Sequence, residues 1–157
     1  IYLNSGEKKS RRVAKSILKS VRKGEMLTTL DLRNSIEKAV GQKYLIKSLS
    51  RVFQAIRIHI NNELQSLKEL LNIICDYIKT DGKIVFITFH SIEDRLIKSF
   101  FKHNALTCIC PIELPLCQCK HQPKLEIITK KAIEPSALEI SQNSRARSAK
   151  MRVARGL

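Results

Sequence analysis

The sequence predicts an α/β fold that is preceded by a separate helical segment. Helical periodicity of apolar residues dominates the first eighty positions, a short β-branched and aromatic run follows at 83–89, and a second apolar run lies at 124–130. A strand between two helical segments is typical of an α/β domain. The chain has 157 residues, 43% of them hydrophobic, which is enough for a real core.

The first 48 residues are predicted to be two amphipathic helices and a connector. Apolar residues recur at every fourth position over 7–23, and the basic residues occupy the other face. A capping box, Thr28-x-x-Asp31, predicts the start of a second helix. Residues 42–49 are predicted to be a connector. We therefore expect residues 1–48 to form a helical piece of their own.

The central part of the chain is predicted to run from a long helix into a strand. Helical spacing continues over 50–79, and because thirty residues is long for one globular helix, we expect a kink or break near Leu70–Asn72. The run at 83–89 is typical of a buried strand. Ser91-x-x-Asp94 then predicts the cap of the next helix.

The last third of the chain is less regular. Residues 104–123 are predicted to be irregular, 124–130 a strand, and Ser136-x-x-Glu139 the cap of a short helical turn. The tail at 148–153 alternates apolar and polar residues, which predicts a half-buried edge strand. A disordered basic arm is the alternative for this tail.

The positive charge is concentrated at both ends. The formal net charge is +15, of which residues 1–23 carry +7 and residues 142–157 carry +5. Concentrated basic charge attracts polyphosphates through counterion release, so it favours a nucleic-acid partner over a merely solvated surface. Neither end pairs its charge with a broad apolar face, so we expect no membrane partner.

Four of the five cysteines follow the pattern Cys108-x-Cys110-x6-Cys117-x-Cys119. Four soft ligands within twelve residues can surround one Zn²⁺. The C-x-C spacing is tighter than the usual C-x2-C, which favours free thiols in a packed loop, so we expect substoichiometric metal at most. Both alternatives stay open. The cysteine usage and the absence of an apolar leader indicate a reduced, cytoplasmic chain.

The end of the predicted strand at 83–89 carries the strongest candidate for a site. His90 and Ser91 follow that strand directly, and open α/β sheets place their sites at such carboxyl ends. The alternative is that Ser91 only caps the next helix and Asp94 complements its dipole. His90 and Ser91 are not a nucleophilic pair, because adjacent residues do not point together.

Two further observations bear on binding. Gln54, Arg57 and Asn61 form a polar stripe on an otherwise apolar helix, which either lines a pocket or is a solvated face. The five glycines are scattered, and none forms a Gly-rich loop after a strand. The sequence therefore contains no recognisable cradle for a nucleoside cofactor.

Five segments together resemble one known family. Phe89-His90-Ser91-Ile92-Glu93-Asp94-Arg95 closely resembles the FHSLEDR segment of the ribosomal RNA small subunit methyltransferase H family. In the same order along the chain, Ser10–Ala14 resembles its SRRIA helix, 51–58 its TFQALRI helix, 123–131 its PKL…TRKP strand, and 143–150 its NPRARSAKLR tail. Ordered matches across nearly the whole chain are much more specific than any one motif.

The resemblance implies an enzyme that transfers a methyl group from S-adenosylmethionine to the N4 of a decoding-region cytosine in 16S rRNA. It also implies that residues 1–48 are the last part of a helical insert domain and 49–157 the second half of a Rossmann-like methyltransferase domain. The family's N-terminal half, with its Gly-rich loop and acidic ribose-binding residue, has no counterpart in these residues. No cofactor-binding residue is therefore assigned. Ser48-Leu49-Ser50 also departs from the family's Pro-Ala-Thr-like run.

We accordingly expect His90 and Ser91 to lie near the substrate cytosine as catalytic residues. The expected substrate-binding residues are basic or amide side chains: Arg57, Asn61, Arg95, Arg145 and Arg147. The expected partner is 16S rRNA in the small ribosomal subunit, and self-association into a homodimer stays open.

Two other functions are kept in view. A non-catalytic RNA-binding remnant would use the same basic ends, and cofactor binding would distinguish it from an enzyme. A zinc-dependent nucleic-acid module would rest on the cysteine cluster alone.

Overall fold

The computed structural model describes residues 1–111 and 117–157, which form a mixed α/β structure. These residues divide into two compact units, Ile1–Glu63 and Leu64–Leu157. The α/β class that the sequence predicts is thus confirmed, while the division after residue 48 stays a prediction. The elements of the first unit and the helix that opens the second are α1 (Tyr2–Ser5), α2 (Ser10–Arg22), α3 (Thr29–Val40), α4 (Leu45–Ile60) and α5 (Glu63–Tyr77). They are followed by β1 (Lys83–Thr88), α6 (Ser91–Asn104), β2 (Leu125–Ile127), α7 (Ala137–Gln142) and β3 (Lys150–Gly156).

The first unit is a helical bundle whose core comes from the stripes that the periodicity predicts. Val13 on α2, Ile36 on α3 and Val52 on α4 are completely buried against one another. The predicted capping box is present: the Asp31 N–H donates to Thr28 Oγ1 at 3.2 Å, and the Thr28 N–H donates to Asp31 Oδ2 at 2.8 Å. The local signals and the packed faces therefore agree on where these helices begin and which side they bury.

Buried serines allow α2 and α3 to pack closely. The Ser35 hydroxyl donates to Ser20 Oγ at 2.9 Å, and the Ser16 hydroxyl donates to the Ser35 carbonyl oxygen at 2.7 Å. Each small polar side chain thus has a partner, so its burial leaves no unsatisfied group at this contact.

The prediction of a connector at 42–49 is wrong, because α4 begins at Leu45 after a short 3-10 turn over Gln42–Tyr44. Leu45 and Ser48 are buried on the same helical face as Val52, so the packing extends the helix by about one and a half turns toward its N-terminus. The expected break near Leu70–Asn72 is also wrong. The chain breaks instead after Ile60, where Asn62 adopts a left-handed φ of +53°, a conformation that asparagine tolerates.

The second unit contains a three-stranded antiparallel sheet in the order β1-β3-β2. Lys83 pairs with Arg155, Thr88 with Lys150, and Leu125 with Gly156. The predicted edge strand in the tail is therefore the central strand. Its buried residues are Arg152, Ala154 and Gly156, whereas Met151 and Val153, the apolar positions of the predicted alternation, lie half-buried on the other face.

The core of the second unit lies between this sheet and α6. Ile97 and Phe101 on α6 pack against Ile84, Leu125 and Ala154 of the three strands, and all five are less than 10% exposed. The predicted strand at 124–130 is shorter in the structure, because only Leu125–Ile127 forms regular pairs. The predicted irregular segment 104–123 lies partly outside the described residues.

Gly156 of β3 marks a close approach of two backbone segments. A Cβ atom at this position would lie 2.7 Å from the Lys79 carbonyl oxygen, just beyond the end of α5. Only glycine therefore fits here without a shift of the neighbouring chain. No helix in the described part of the chain is long and apolar enough to cross a membrane.

Candidate nucleic-acid interface

The FHSIEDR segment forms the junction between β1 and α6. His90 stands at the N-cap with an extended backbone (φ −141°, ψ 156°), and its Nδ1 accepts the Glu93 N–H at 3.3 Å. The Glu93 carboxylate in turn accepts the Phe89 N–H at 3.3 Å. The two side chains therefore satisfy backbone donors on both sides of the helix start, in the manner of a capping box.

The cap is His90 and not Ser91, so the predicted Ser91-x-x-Asp94 cap is wrong by one position. The strand ends at Thr88 and the helix begins at Ser91, which leaves His90 in the half-helical cap position. Histidine is not among the preferred cap residues, and the sequence pattern therefore indicated the serine. An imidazole nitrogen nevertheless accepts a hydrogen bond as a hydroxyl does.

This hydrogen bond determines how His90 can act. Because Nδ1 accepts the hydrogen bond from the Glu93 N–H, the neutral imidazole carries its proton on Nε2. The imidazole is only 8% exposed, and Nε2 lies 3.3 Å from Glu93 Oε1. That contact lacks hydrogen-bond geometry, so Nε2 is a buried atom with no hydrogen bond among the described residues. Nε2 is thus the His90 atom available for an added polar partner.

Asp94 and Arg152 form a nearly buried ion pair between α6 and β3. Arg152 Nε donates to Asp94 Oδ1 at 2.6 Å and Nη2 donates to Oδ2 at 3.1 Å. These hydrogen bonds hold the pKa of the Asp94 carboxyl below its ordinary value, against the opposing effect of burial. The pair ties the first turn of α6 to the central strand and so fixes the β1–α6 junction.

A basic concavity of about 440 Å³ lies beside this junction. Its lining is dominated by cationic side chains from α6, from the segment after β2 and from β3: Lys98, Lys130, Lys131, Lys150 and Arg152, with Ala132 and Glu134. Lys150 stands opposite Thr88, the last residue of β1, so the concavity is at the carboxyl end of that strand. Of its cations, Arg152 is paired with Asp94, and Lys150 lies 3.6 Å from Glu134.

The sequence did not indicate this concavity, because its lining comes from three separate segments. An isolated bridge between Ile133 and Met151 brings the lysines after β2 alongside β3. The available signal was weak: Lys130 and Lys131 follow a predicted strand, and Lys150 begins an alternating tail. Neither pattern by itself shows that the two segments meet.

Four of the predicted residues of the second unit are exposed and well placed to contact a long ligand. Arg95 is exposed and lies one helical turn from Lys98, so it borders the basic concavity. Arg145 and Arg147 are exposed on a 3-10 turn that leads directly into β3. Ser91 is exposed at the first position of α6.

The predicted residues of the first unit have a partner of their own. Arg57 donates to both carboxylate oxygens of Glu63, with Nε at 2.9 Å and Nη2 at 3.2 Å. Asn61 Nδ2 donates to the same carboxylate at 3.1 Å. A bidentate carboxylate offsets the charge of Arg57, which weakens its attraction for a phosphate.

The described residues include no glycine-rich turn directly after a strand. β1 is followed by Phe89 and His90 and not by glycines. The only glycine that ends a described strand is Gly156, which is buried against the end of α5. A phosphate or ribose cradle of backbone N–H groups after a strand is therefore missing from the described residues.

The comparisons with known proteins give a consistent result. A model of the MraW methylase family matches residues 1–157. Relatives from Finegoldia magna and Carboxydothermus hydrogenoformans are each 44% identical, over 98% and 100% of this chain, and one from Clostridioides difficile is 45% identical over 92%. Each is named Ribosomal RNA small subunit methyltransferase H. The chain spans about half the length of these curated relatives: 51%, 51% and 48%. The chain belongs to the MraW methylase family.

Proposed function

We propose that this chain supplies the RNA-binding half of a methyltransferase that acts on the N4 of a decoding-region cytosine in 16S rRNA. The observation that carries the proposal is the basic concavity at the carboxyl end of β1, beside the FHSIEDR segment. Family membership supplies the class of reaction and the relatives' names supply the substrate class. S-adenosylmethionine would be the methyl donor, held by the part of the family's sequence that this chain does not match.

The charges of the concavity favour a phosphodiester backbone. Lys98, Lys130 and Lys131 form no ion pair in the described part of the chain, so their ammonium groups are available to a ligand. Arg95, Arg145 and Arg147 are exposed nearby along the chain and likewise carry no described ion pair. We propose that these residues hold RNA phosphates and position the strand without reading its sequence.

The junction itself is proposed to face the target base. The exocyclic amine of cytosine needs correct placement and removal of water more than it needs a covalent nucleophile. Ser91 is exposed at the start of α6, and Nε2 of His90 has no hydrogen bond among the described residues. We propose that these two groups contact the cytosine, with Arg57 and Asn61 as weaker contacts because Glu63 already engages both.

RNA binding tests the phosphate contacts. The affinity of the full chain for a fluorescent decoding-region hairpin is measured by anisotropy between about 50 and 200 mM salt. With roughly six contacts we expect binding to weaken on the order of a thousandfold over this range. Replacing Arg145 and Arg147 together with alanine should reduce the salt slope by nearly two, and so should replacing Lys98 and Lys130.

The matched control is His90→Asn, which keeps an N-cap acceptor and removes no cation. It should leave the salt slope unchanged. A flat salt response, or a slope that changes with His90 but not with the arginines and lysines, would show that the RNA lies elsewhere.

Methyl transfer tests the proposed reaction and separates it from a non-catalytic RNA-binding remnant. A chimera joins the first half of the Finegoldia magna relative to this chain, and calorimetry first establishes that it binds S-adenosylmethionine. We expect the chimera, and not the 157 residues alone, to bind the cofactor and to produce N4-methylcytosine in unmodified small subunits, detected by mass spectrometry of nucleosides. A chimera that binds cofactor but methylates another base, or none, contradicts the proposal.

A further inference from the structure

The four clustered cysteines converge on one point in space. The Sγ atoms of Cys108, Cys110, Cys117 and Cys119 all lie within 4.8 Å of one another. Cys117 Sγ lies 3.5 Å from Cys119 Sγ, which in turn lies 3.8 Å from Cys108 Sγ. A disulfide requires about 2.05 Å between its sulfurs, so these thiols are not cross-linked. Four thiolates placed tetrahedrally around zinc, at a Zn–S distance of about 2.3 Å, would be separated by about 3.8 Å.

The backbone of this segment is arranged to support negatively charged sulfurs. Amide N–H groups point at the sulfur atoms, and such donors favour the thiolate, which is the form of cysteine that binds metals. Three of the four cysteines accept at least one of these bonds: Cys110 N–H to Cys108 Sγ at 3.4 Å, Gln118 N–H to Cys110 Sγ at 3.4 Å, and the Ile109 and His121 N–H groups to Cys119 Sγ at 3.5 Å each.

We propose that Cys108, Cys110, Cys117 and Cys119 bind one Zn²⁺ in a closed tetrahedral site. Soft thiolate ligands in this geometry select zinc over the harder divalent cations. Four protein ligands leave no open coordination position, so the site is structural and carries no reaction. Each cysteine that is protonated before binding releases its proton to solvent as its Zn–S bond forms.

The position of the cluster explains what such a metal would do. The Lys124 N–H donates to the Asn104 carbonyl oxygen at 2.8 Å. This hydrogen bond joins the end of α6 to the residue that precedes β2. Cys108 and Cys110 follow α6, and Cys117 and Cys119 precede β2. A zinc ion bound by all four would therefore tie the stretch after α6 to the stretch before β2.

The proposal departs from the expectation that the spacing alone supported. The short C-x-C spacing favoured free thiols. In the structure, however, the two C-x-C pairs lie close enough for all four sulfurs to bind one metal ion. The fifth cysteine shows the contrast: Cys75 on α5 is half-buried among the apolar residues of the second unit and belongs to no such group.

Metal content is the first test. The full chain is purified with a reductant and without chelators, and metals are measured by plasma mass spectrometry. We expect about one zinc per chain, loss of nearly all of it in the double variant Cys110→Ser/Cys117→Ser, and full retention in the matched control Cys75→Ser. Zinc that stays bound in the double variant, or iron in place of zinc, overturns the assignment.

A spectroscopic test does not depend on the folding of any variant. The unaltered chain is stripped of metal under reducing conditions and titrated with Co²⁺. Tetrahedral thiolate ligation predicts intense sulfur-to-cobalt charge-transfer bands that saturate at one equivalent and disappear when Zn²⁺ displaces the cobalt. Absence of these bands, or disulfides among the four cysteines by peptide mass mapping of freshly reduced protein, refutes the site.

Discussion

The ion pair between Asp94 and Arg152 offers the sharpest test of how this fold is stabilised. Their side chains are only 14% and 11% exposed, and two hydrogen bonds join them. The substitution Asp94→Ala removes the carboxylate and leaves the guanidinium facing the interior beside the sheet. Lys150 and Lys98 are close enough to act on Asp94, so the unpaired arginine would also be left among like charges.

The expected loss of stability is large for a unit of this size. Removing one partner of a buried pair costs about 3–5 kcal/mol, and because both groups retain some exposure, we expect about 3 kcal/mol for Asp94→Ala. The matched control is Asp76→Ala, which removes a surface ion pair with Lys124 at 3.6 Å whose members are 68% and 58% exposed. That change should cost less than about 1 kcal/mol. Urea unfolding followed by circular dichroism measures both values.

The pH dependence of the same pair has a definite sign. Arg152 lowers the pKa of Asp94 in the folded chain below its ordinary value of 3.8, so the pair contributes its full stability at any pH above that value. As the pH falls from 3.8 toward the lower folded pKa and below it, protonation removes this contribution. The stability difference between the unaltered chain and Asp94→Asn should therefore be constant near neutral pH and shrink in strong acid.

A double-mutant cycle determines whether the pair itself is responsible. Asp94→Asn and Arg152→Met are made singly and together, and the coupling energy is taken from the three differences in unfolding free energy. We expect a coupling above about 1 kcal/mol. A coupling near zero, or a cost of Asp94→Ala no greater than that of Asp76→Ala, would refute the reasoning.

Three further substitutions have definite expected outcomes in the same unfolding assay. His90→Ala should cost about 1 kcal/mol, because it removes the acceptor for the Glu93 N–H, whereas His90→Asn should restore most of that loss; equal losses would contradict the capping role. Gly156→Ala should destabilise by about 1–3 kcal/mol, since its Cβ would meet the Lys79 carbonyl oxygen at 2.7 Å, and an unchanged midpoint would contradict that contact. Ile36→Ala should cost about 2–5 kcal/mol, because Ile36 is fully buried in the first unit, and a cost below about 1 kcal/mol would place it outside the core.

Local signals predicted the elements whose ends depend on their own residues. The capping box at Thr28 and Asp31 and the cap at Ser136 both form, because each satisfies backbone donors within three positions. The strand at Lys83–Thr88 forms because its residue types and its turn agree. The predictions were wrong for elements whose bounds depend on tertiary packing. Leu45 extends α4 only because the bundle buries it, and no local pattern shows that.

The role of β3 required knowledge of its neighbours. Alternation indicated a strand with one buried face, but an edge strand and a central strand have the same alternation. β3 pairs with both β1 and β2, although both precede it in the chain. Such long-range pairing depends on the core that Ile84, Leu125 and Ala154 share, and a single sequence does not reveal it.

The candidate site shows why charge along the sequence differs from charge in space. The tail carries five basic residues, but Arg152 is buried against Asp94, and Arg155 is paired with Glu126 and Asp81. These two arginines therefore stabilise the sheet and offer little to a phosphate. The cations that are available to a phosphate include lysines from the middle of the chain. In that part of the sequence, basic and acidic residues are nearly equal in number.

The residues of the FHSIEDR segment also fall into two groups, one that stabilises the fold and one that is exposed and available for binding. His90 Nδ1, Glu93 and Asp94 are committed to the cap and the ion pair that hold the β1–α6 junction. Ser91 and Arg95 remain exposed on the helix that those contacts fix. A substitution at Asp94 should therefore weaken RNA binding only in proportion to the unfolded fraction, whereas Arg95→Ala should lower the salt slope of binding in a fully folded chain. One short segment therefore provides both the contacts that stabilise the β1–α6 junction and the side chains that we propose for RNA binding.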